Sequence, residues 1–470
     1  MMNDFFILMK QELVVIVIIF ILLFIKLGNT QMKNESFLTV INVLLLLNVV
    51  SGFFFSASGK LFGDMFVTND LLRFEKNVLS LGTLIISLQS HNWLKQHQHA
   101  PEFYMLMLST LFGMFLMISS NNILMFYLGL ELSTIPLAAM ANFDLDKRRS
   151  SEAAMKFIIS SAFSSGLLLF GISWLYGATG TLNFSEIATR LFDVPWHTFS
   201  LILIIAGFSF KISAVPFHLW TADVYEGSPV AVTSYLSVIS KGAVLFVLTS
   251  VLYRVYAPLQ TTWYNILFIL SVLTMIIGNL FAIRQQNMKR FLAFSSIAQV
   301  GFILIGITGQ SIEASASVIF FVLIYLFSNL GVFGVINIVS AVTGRENVDD
   351  YKGFYKTNPI LSWVLAIGLF SLAGIPPTAG FFGKFFLLLA GAAKGNYLLI
   401  TIAALNMVVS LYYYLRVIKA IFMDANDNPI EKVEAGLYPR MAMVICVTGI
   451  VITGLFSGAY NYIHSLFVMN

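Results

Sequence analysis

Four lysines lie inside long apolar stretches of this sequence, where charged side chains are unexpected. They are Lys156, Lys211, Lys241 and Lys384. An uncompensated Lys at the centre of a membrane-spanning helix costs about 2.5–3.5 kcal/mol, so such residues are expected to face each other, water or a neighbouring subunit. Because an ammonium group can hold and release a proton, this pattern points to movement of protons or other ions through a bilayer.

Two glutamates accompany these lysines. Glu131 lies in the apolar stretch FYLGLELSTIPL, and Glu152 precedes Lys156 by four residues. Residues four apart share one helix face, so Glu152 and Lys156 can interact. An ion pair at the cytoplasmic start of a helix explains this second pair equally well, and both interpretations stay open.

Composition places the chain in a membrane. It is 58% hydrophobic and only 11% charged, with a mean hydropathy of +0.85, against about 45–50% apolar and 25% charged residues in soluble domains. The single cysteine, Cys446, offers no disulfide, thiolate cluster or redox pair. His91, His97 and His99 resemble metal-ligand spacing, but Gln and Lys lie between them with no cysteine or carboxylate, so no metal site is predicted. Redox and covalent chemistry are expected on other chains.

The sequence predicts an all-α polytopic protein of about fourteen transmembrane helices, each needing about 20 residues. The candidate spans are 12–27, 37–55, 68–90, 102–119, 122–142, 152–177, 198–222, 229–254, 263–283, 289–309, 313–341, 359–392, 397–421 and 440–463. Glu12 and the lack of a small-residue cleavage pattern favour a retained first span over a signal peptide.

Prolines interrupt two of the spans. The seventh should break at Val215-Pro216 and the twelfth at Gly374–Pro377, because proline removes a backbone donor and clashes with the preceding turn. In lipid, a break is tolerated only where the backbone lines a cavity or is buried in protein. Five spans separate the breaks, which predicts two inverted five-helix repeats, spans 4–8 and 9–13. The alternative is that two long helices happen to contain prolines.

This organisation divides the chain into four parts. Residues 1–100 carry three N-terminal helices, 101–256 the first repeat, 257–424 the second repeat and 425–470 a final helix. Of 27 Lys and Arg residues, 16 fall on the side reached after odd-numbered spans and five on the other. The positive-inside rule then places both termini outside the cytoplasm.

Several polar residues have simple explanations in the sequence. Arg73 and Lys76 lie near the start of a span, so they are expected to reach the interface by snorkelling. Tyr412–Tyr414 reads as an interfacial aromatic belt. Tyr225 and Glu226 are expected in a solvated loop.

The segment after the first break carries a resemblance to a known family. Residues 217–229, FHLWTADVYEGSP, resemble the signature of the antiporter-like membrane subunits of proton-pumping NADH:quinone oxidoreductase (respiratory complex I), in particular the subunit N family. The likeness continues, in order, through LYGATGTLNFSEI at 175–187, NMKRFLAFSSIAQVG at 287–301, NLGVF at 329–333 and GIPPTAGFFGKF at 374–385. It covers spans 4–13. The chain departs from it at Gln299, where relatives often carry a histidine.

The resemblance implies a proton relay. In that family Glu131 would pair with Lys211 near the first break, and protons would pass through water and polar side chains to Lys241. Lys384, at the second break, would face the exit. A lysine with a movable carboxylate partner can alternate between holding and releasing a proton, which agrees with this role.

The resemblance also implies partners and a location. Glu152 and Lys156 would help to couple the chain to a neighbouring subunit, and His218 could join the relay or act only as a polar spacer. FMN, iron–sulfur clusters and quinone are expected on other subunits of the complex, with no cofactor on this chain. The chain would then be a subunit of a translocase in the bacterial inner membrane, with periplasmic termini.

Two other functions remain open. A subunit of a multisubunit cation/proton antiporter would share the same core and can share the Gly383-Lys384 step, although the motif Asp223–Gly227 favours subunit N. An autonomous solute transporter could use the same broken helices, but the polar residues form a titratable series without an obvious substrate pocket.

Overall fold

The computed structural model describes residues 2–28, 33–54 and 57–468, and this part of the chain is almost entirely helical. The sheet within it is one antiparallel hairpin of β1 (Gly59–Leu61) and β2 (Phe66–Thr68). The helices are α1 (Met2–Leu8), α2 (Lys10–Leu27), α3 (Asn34–Ser51), α4 (Asp70–Lys95), α5 (Ala100–Ile118), α6 (Ile123–Ala141), α7 (Arg148–Thr179), α8 (Phe184–Arg190), α9 (Pro195–Ile212), α10 (Leu219–Gly227), α11 (Val230–Tyr235), α12 (Lys241–Arg254), α13 (Gln260–Arg284), α14 (Met288–Thr308), α15 (Ile312–Thr343), α16 (Phe354–Thr357), α17 (Pro359–Ala373), α18 (Ala379–Ala392), α19 (Tyr397–Phe422), α20 (Leu437–Leu455) and α21 (Gly458–Val468). A π segment, Leu236–Ser240, joins α11 to α12, and short 3-10 turns cover Ala257–Leu259 and Val348–Tyr351.

The prediction of a polytopic all-α membrane protein is confirmed. Eleven helical segments in the described ranges are long and apolar enough to cross a membrane. The helices α2 and α4 have the required length but carry more charge, and α17 with α18 forms one broken span. Adding these three to the eleven gives the fourteen spans that the sequence predicts.

The last predicted span, 440–463, is wrong at its end. The helix α20 stops at Leu455, Phe456 is extended, and α21 starts separately at Gly458. Nineteen residues at about 1.5 Å each are already enough to cross the apolar layer, so the remaining turns are not part of the span. The hairpin β1–β2 was also not expected from the sequence.

Both predicted helix breaks are present. Ser213 caps the end of α9 and Gly374 caps the end of α17, each in the left-handed conformation, with φ of 65° and 84°. A cis X–Pro peptide follows each end, at Val215-Pro216 and Pro376-Pro377. A second helix then continues the path, α10 after the first break and α18 after the second.

Local features recur in the two predicted repeats. Asn122 caps the start of α6 and Asn287 caps the start of α14, each accepting hydrogen bonds from the next backbone N–H groups. Each asparagine also forms an isolated antiparallel bridge, to Asn183 in one case and to Asn347 in the other. This recurrence agrees with two related five-helix units. Their inversion and their boundaries stay predictions.

Two helices form the centre of the molecule. In the most apolar stretch of α14 all residues are buried within the protein, and in that of α15 94% are buried. The helix α14 contacts α10 of the first repeat and α18 of the second. A side chain on α14 can therefore reach both helix breaks.

Candidate functional site

Lys211 is buried in the last turn of α9, immediately before the first break. Its Nζ donates hydrogen bonds to Thr134 Oγ1 on α6 at 2.9 Å and to Ser161 Oγ on α7 at 2.8 Å. The ammonium is therefore held by two neutral hydroxyls, one from α6 and one from α7.

Glu131 lies on α6 one turn before Thr134, so the two side chains project from the same face. Among the described residues its Oε1 is buried without a hydrogen-bond partner. The Thr134 hydroxyl accepts from Lys211 and donates to the Leu130 carbonyl oxygen at 2.7 Å. A direct Glu131–Lys211 pair, as the family resemblance implies, stays a prediction.

A polar stripe leads from the first break towards the next lysine. Thr221 and Tyr225 lie on one face of α10, and His218, three residues before Thr221, is the N-cap of this helix. Each contributes a buried polar atom that has no partner in the described part of the chain: Nδ1, Oγ1 and the phenol oxygen, respectively. The prediction of a solvated loop is wrong for Tyr225, which is fully buried.

Lys241 lies at the end of this stripe. It begins α12 directly after the π segment Leu236–Ser240 and is 2% exposed. Its Nζ sits 5.3 Å from the centre of the Tyr225 ring and donates to Ser296 Oγ on α14 at 2.8 Å. A cation over an aromatic face gains electrostatic stabilisation without a counter-charge.

Lys384 is held by the second break itself. Its Nζ donates to the carbonyl oxygens of Leu372 at 2.8 Å and Ala373 at 3.2 Å. These carbonyls are in the last turn of α17, where a helix leaves its acceptors without partners. The ammonium also lies 5.0 Å from the centre of the Phe302 ring on α14.

Gln299 connects the environments of the two lysines. It lies one turn after Ser296 on α14, and its Nε2 donates to Leu372 O at 2.9 Å and to the Tyr414 hydroxyl at 3.1 Å. Leu372 O thus accepts hydrogen bonds from both Gln299 and Lys384. The polar line from Lys241 continues along one face of α14 to Lys384.

The aromatic-belt prediction is wrong for two of its three tyrosines and stays a prediction for Tyr412, which is exposed. Tyr413 and Tyr414 are fully buried, and the Tyr414 hydroxyl lies 2.5 Å from Ser295 Oγ. On α19, successive residues face different directions, so two of the three tyrosines turn inward.

Lys156 is not deep within the chain, contrary to its sequence setting. Its side chain is 42% exposed and forms ion pairs with Glu152 at 2.8 Å and Asp223 at 2.6 Å. Asp223 also forms an ion pair with Arg290, in the first turn of α14, with 2.7 Å between Asp223 Oδ1 and Arg290 Nη1. This cluster lies at the ends of α7, α10 and α14, apart from the buried line, so its role as an edge ion pair has direct geometric support.

Lys76 does not snorkel. Its Nζ lies 2.5 Å from Glu12 Oε1, and both side chains are completely buried between α2 and α4. The two buried charges therefore compensate each other. The sequence could not reveal this pair, because 64 residues separate the partners.

The hydroxyl partners Thr134, Ser161 and Ser296 were not identified from the sequence. Only Thr134 had a usable signal, its position one turn after Glu131. Asp223 and Arg290 lie inside the motifs that carry the resemblance. Their opposite charges were a signal that could have indicated an ion pair.

Comparisons with known proteins agree on a single family. Residues 120–410 match the family described as NADH:quinone oxidoreductase/Mrp antiporter, transmembrane. The chain is 43% identical, over 98% of both chains, to NADH-quinone oxidoreductase subunit N of Azobacteroides pseudotrichonymphae. It is 46% identical to the protein of that name from Phocaeicola vulgatus, over 85% of this chain and 86% of the relative. The structure resembles a chain of respiratory complex I from Thermus thermophilus with bound aureothin, with a TM-score of 0.81 and 26% identity over 95% of this chain and 97% of that one.

Proposed function

The chain belongs to the NADH:quinone oxidoreductase/Mrp antiporter transmembrane family, and we propose that it carries protons along the buried line from Glu131 to Lys384. It is a proton-translocating membrane subunit of an NADH:quinone oxidoreductase, and its partners are the other membrane subunits of that complex. Catalysis belongs to other subunits. FMN, iron–sulfur clusters and quinone are proposed to lie there, with no cofactor on this chain.

The observation that carries the proposal is the Leu372 carbonyl oxygen, which accepts from Gln299 and Lys384 together. Ser296, which accepts from Lys241, and Gln299, which donates to this carbonyl, lie one turn apart on α14 and bring polar groups from Lys241 to the second break. Lys211 connects to Lys241 through the stripe of His218, Thr221 and Tyr225, whose unpartnered polar atoms are suited to ordered water.

The partners of the buried lysines favour transfer over a structural ion pair. Lys211, Lys241 and Lys384 donate to hydroxyls and backbone carbonyls. A carboxylate in contact would stabilise the charged ammonium and hold its proton, whereas neutral acceptors hold it less strongly. Glu131 supplies a carboxylate near the start of the line, and its charge would favour protonation of Lys211 first.

The test uses two variants of Lys241. Lys241→Ala should lower proton pumping while the complex still assembles, because removing a buried charge removes a cost of about 2.5–3.5 kcal/mol. Lys241→Arg should also lower pumping, since arginine keeps its charge but is effectively never deprotonated. Pumping is measured in proteoliposomes, with NADH-driven electron flow recorded in parallel. Wild-type pumping by the arginine variant would exclude the relay role of this lysine.

A cation/proton antiporter subunit is the second candidate, because the family description includes Mrp antiporters. The two functions differ in their partners. A native complex purified through this chain should carry flavin and iron–sulfur absorbance if the proposed function is right. A complex without those chromophores would favour the antiporter.

We also propose the location. The membrane would be a bacterial inner membrane, and the excess of basic residues after odd-numbered spans supports a periplasmic position for both termini. Glu152, Lys156 and Asp223 then lie at the cytoplasmic end of their helices, where a neighbouring subunit can reach the exposed part of the cluster.

A further inference from the structure

A cavity of about 460 Å³ opens where α4 begins, α12 ends and α15 begins. On the proposed topology these three helix ends face the periplasm. The volume is within the range of ligand sites, about 300–1,000 Å³. Much of the wall is apolar and is formed by Leu71, Leu72, Phe246, Ile312, Ile319 and Phe467.

The cavity extends from the helix ends towards the middle of the spans. Arg254, which lines its mouth, is the last residue of α12 and is exposed. Phe246 and Ile319 line the inner part, about two turns from the ends of α12 and α15. At 1.5 Å per residue the cavity is therefore about 10–12 Å deep along the helices. A polar mouth above an apolar interior matches the two parts of an amphiphile.

Glu75 is an acidic residue inside this cavity. It is only 5% exposed, and within the described ranges it forms no hydrogen bond or ion pair. The next residue, Lys76, is paired with Glu12 instead. A carboxylate inside a membrane span is costly unless a partner compensates its charge. The cavity thus presents a buried acid that the cation of a bound molecule can neutralise.

Arg254 supplies the opposite charge at the mouth. Its Nη2 donates to Asn121 Oδ1 at 2.8 Å, and a guanidinium carries five N–H donors, so further donors are left for a ligand. Ser250, one turn before Arg254, adds a hydroxyl to the same wall. A ligand that carries an anion and a cation on one headgroup can therefore meet both Arg254 and Glu75.

We propose that this cavity binds phosphatidylethanolamine. Its phosphate would lie at Arg254, its ammonium at Glu75 and part of an acyl chain against the apolar wall, so that each charge forms a charge-assisted hydrogen bond. Phosphatidylglycerol has the phosphate but no ammonium, so it would leave Glu75 without a cation. Lipid binding does not require proton transfer, and the inference is independent of the proposed function.

The test is a lipid competition on the purified complex. After delipidation, the complex is labelled with a phosphatidylethanolamine that carries a photoactivatable diazirine on an acyl chain, and the label is mapped by mass spectrometry. Peptides from α12 and α15 should carry it. Unlabelled phosphatidylethanolamine should compete at least about tenfold better than phosphatidylglycerol, which corresponds to about 1.4 kcal/mol. Glycerophosphoethanolamine, the same headgroup without acyl chains, should compete weakly, because it buries no apolar surface.

Variants of two carboxylates identify the source of this preference. Glu75→Gln should abolish it, so that the two lipids compete equally. Glu313→Gln is the matched control, because Glu313 lies in the first turn of α15 but is exposed and does not line the cavity. It should keep the tenfold preference. A variant with damaged packing would lose affinity for both lipids, whereas loss of the ammonium contact changes their ratio.

Arg254→Gln tests the phosphate contact separately and serves if the Glu75 variant does not assemble. It should weaken competition by both lipids to a similar extent, since both carry the phosphate. Equal competition by the two lipids in the unmodified complex, or an unchanged preference in Glu75→Gln, would overturn the proposal. Absence of label from α12 and α15 would also overturn it and would indicate that a neighbouring subunit covers the cavity.

Discussion

At the scale of single residues, each of the buried lysines Lys211, Lys241 and Lys384 is stabilised by two or three contacts with neutral groups. Lys211 has two hydroxyl partners, Lys241 one hydroxyl and one ring, and Lys384 two carbonyls and one ring. Hydrogen bonds to a charged group contribute about 1.5–3 kcal/mol each. A set of this kind can tolerate the ammonium without fixing its proton.

Gln299 gives a prediction at this scale. Gln299→Leu should reduce NADH-driven proton pumping severalfold, because it removes the polar group between Ser296 and the Leu372 carbonyl. The cost in stability should be about 1 kcal/mol, since Lys384 still binds that carbonyl. Pumping and assembly are measured on the same purified complex.

Gln89→Leu is the matched control. Gln89 is also buried and also donates to a backbone carbonyl, that of Leu330 at 2.7 Å, but it lies outside the line. Its leucine variant should lose similar stability and keep its pumping rate. If both variants lost pumping equally, Gln299 would have only a packing role.

The sequence predicted the lysines but not their partners, for a physical reason. Ser and Thr in membrane helices commonly bond to a carbonyl in the preceding turn, as Thr249 does with Leu245 O. Ser296 makes a bond of this kind too, to Ala293 O, and also accepts from Lys241. Nothing in the sequence distinguishes these two hydroxyls, because the difference depends on which helix lies opposite.

At the scale of elements, the backbone carbonyl oxygens at the ends of α9 and α17 have different partners at the two breaks. At the first, Phe210 O accepts from the Ser213 backbone N–H at 3.0 Å and from the Trp220 indole at 3.2 Å. At the second, the Leu372 and Ala373 carbonyls receive the Lys384 ammonium. The proline pattern predicted both breaks. It could not predict which would bind a charge, since the acceptors' partners come from the chain beyond the break.

The second break also gives a prediction about packing. Gly380, in the first turn of α18, approaches α17 so closely that an added Cβ would meet the Ser371 carbonyl oxygen at 1.7 Å. Gly380→Ala should therefore destabilise the chain by about 1–3 kcal/mol, as overpacking does. The thermal midpoint for loss of this chain from the purified complex should fall.

Gly166→Ala provides the comparison. An added Cβ at Gly166 on α7 meets nothing within 4 Å in this chain. Alanine is the better helix former by about 0.8–1.0 kcal/mol, so the thermal midpoint should stay constant or rise. Equal destabilisation by both variants would mean that the close approach at Gly380 is unimportant.

Several element boundaries were predicted to within one residue. Asn122 and Asn287 fix the starts of α6 and α14, within one residue of the predicted spans at 122 and 289. The end of α20 was missed, because an apolar sequence continues beyond Leu455 into α21. Hydropathy measures burial in lipid or protein and does not register a change in backbone direction.

At the scale of the whole molecule, the topology can be tested directly. Both termini should face the periplasm, because 16 basic residues against five is a large asymmetry. A reporter that is active only in the cytoplasm should be silent when it is fused after Asn470. The same reporter inserted after Lys147, in the basic loop before α7, should be active. Strong activity at the C-terminus would mean that a span has been miscounted.

Across the whole molecule, the helix α14 connects the polar groups of the two predicted repeats. At one end of this helix, Arg290 forms an ion pair with Asp223. In the middle, Ser296 accepts a hydrogen bond from Lys241. One turn later, Gln299 donates to the Leu372 carbonyl oxygen at the second break. The sequence indicated two repeats but not that one buried helix joins their polar groups. That arrangement arises from packing between elements that are distant in the chain.

The π segment before Lys241 has a consequence for how genes of this family can be compared. A π turn holds one more residue than an α turn, so Leu236–Ser240 absorbs about one residue without turning the helix that follows. A relative that lost a single codon there could close the turn into a regular helix and keep its lysine facing the same neighbour. In an alignment, a one-residue gap at this point should therefore be read as neutral for the lysine, whereas the same gap elsewhere in α12 would rotate the rest of the helix by about 100°.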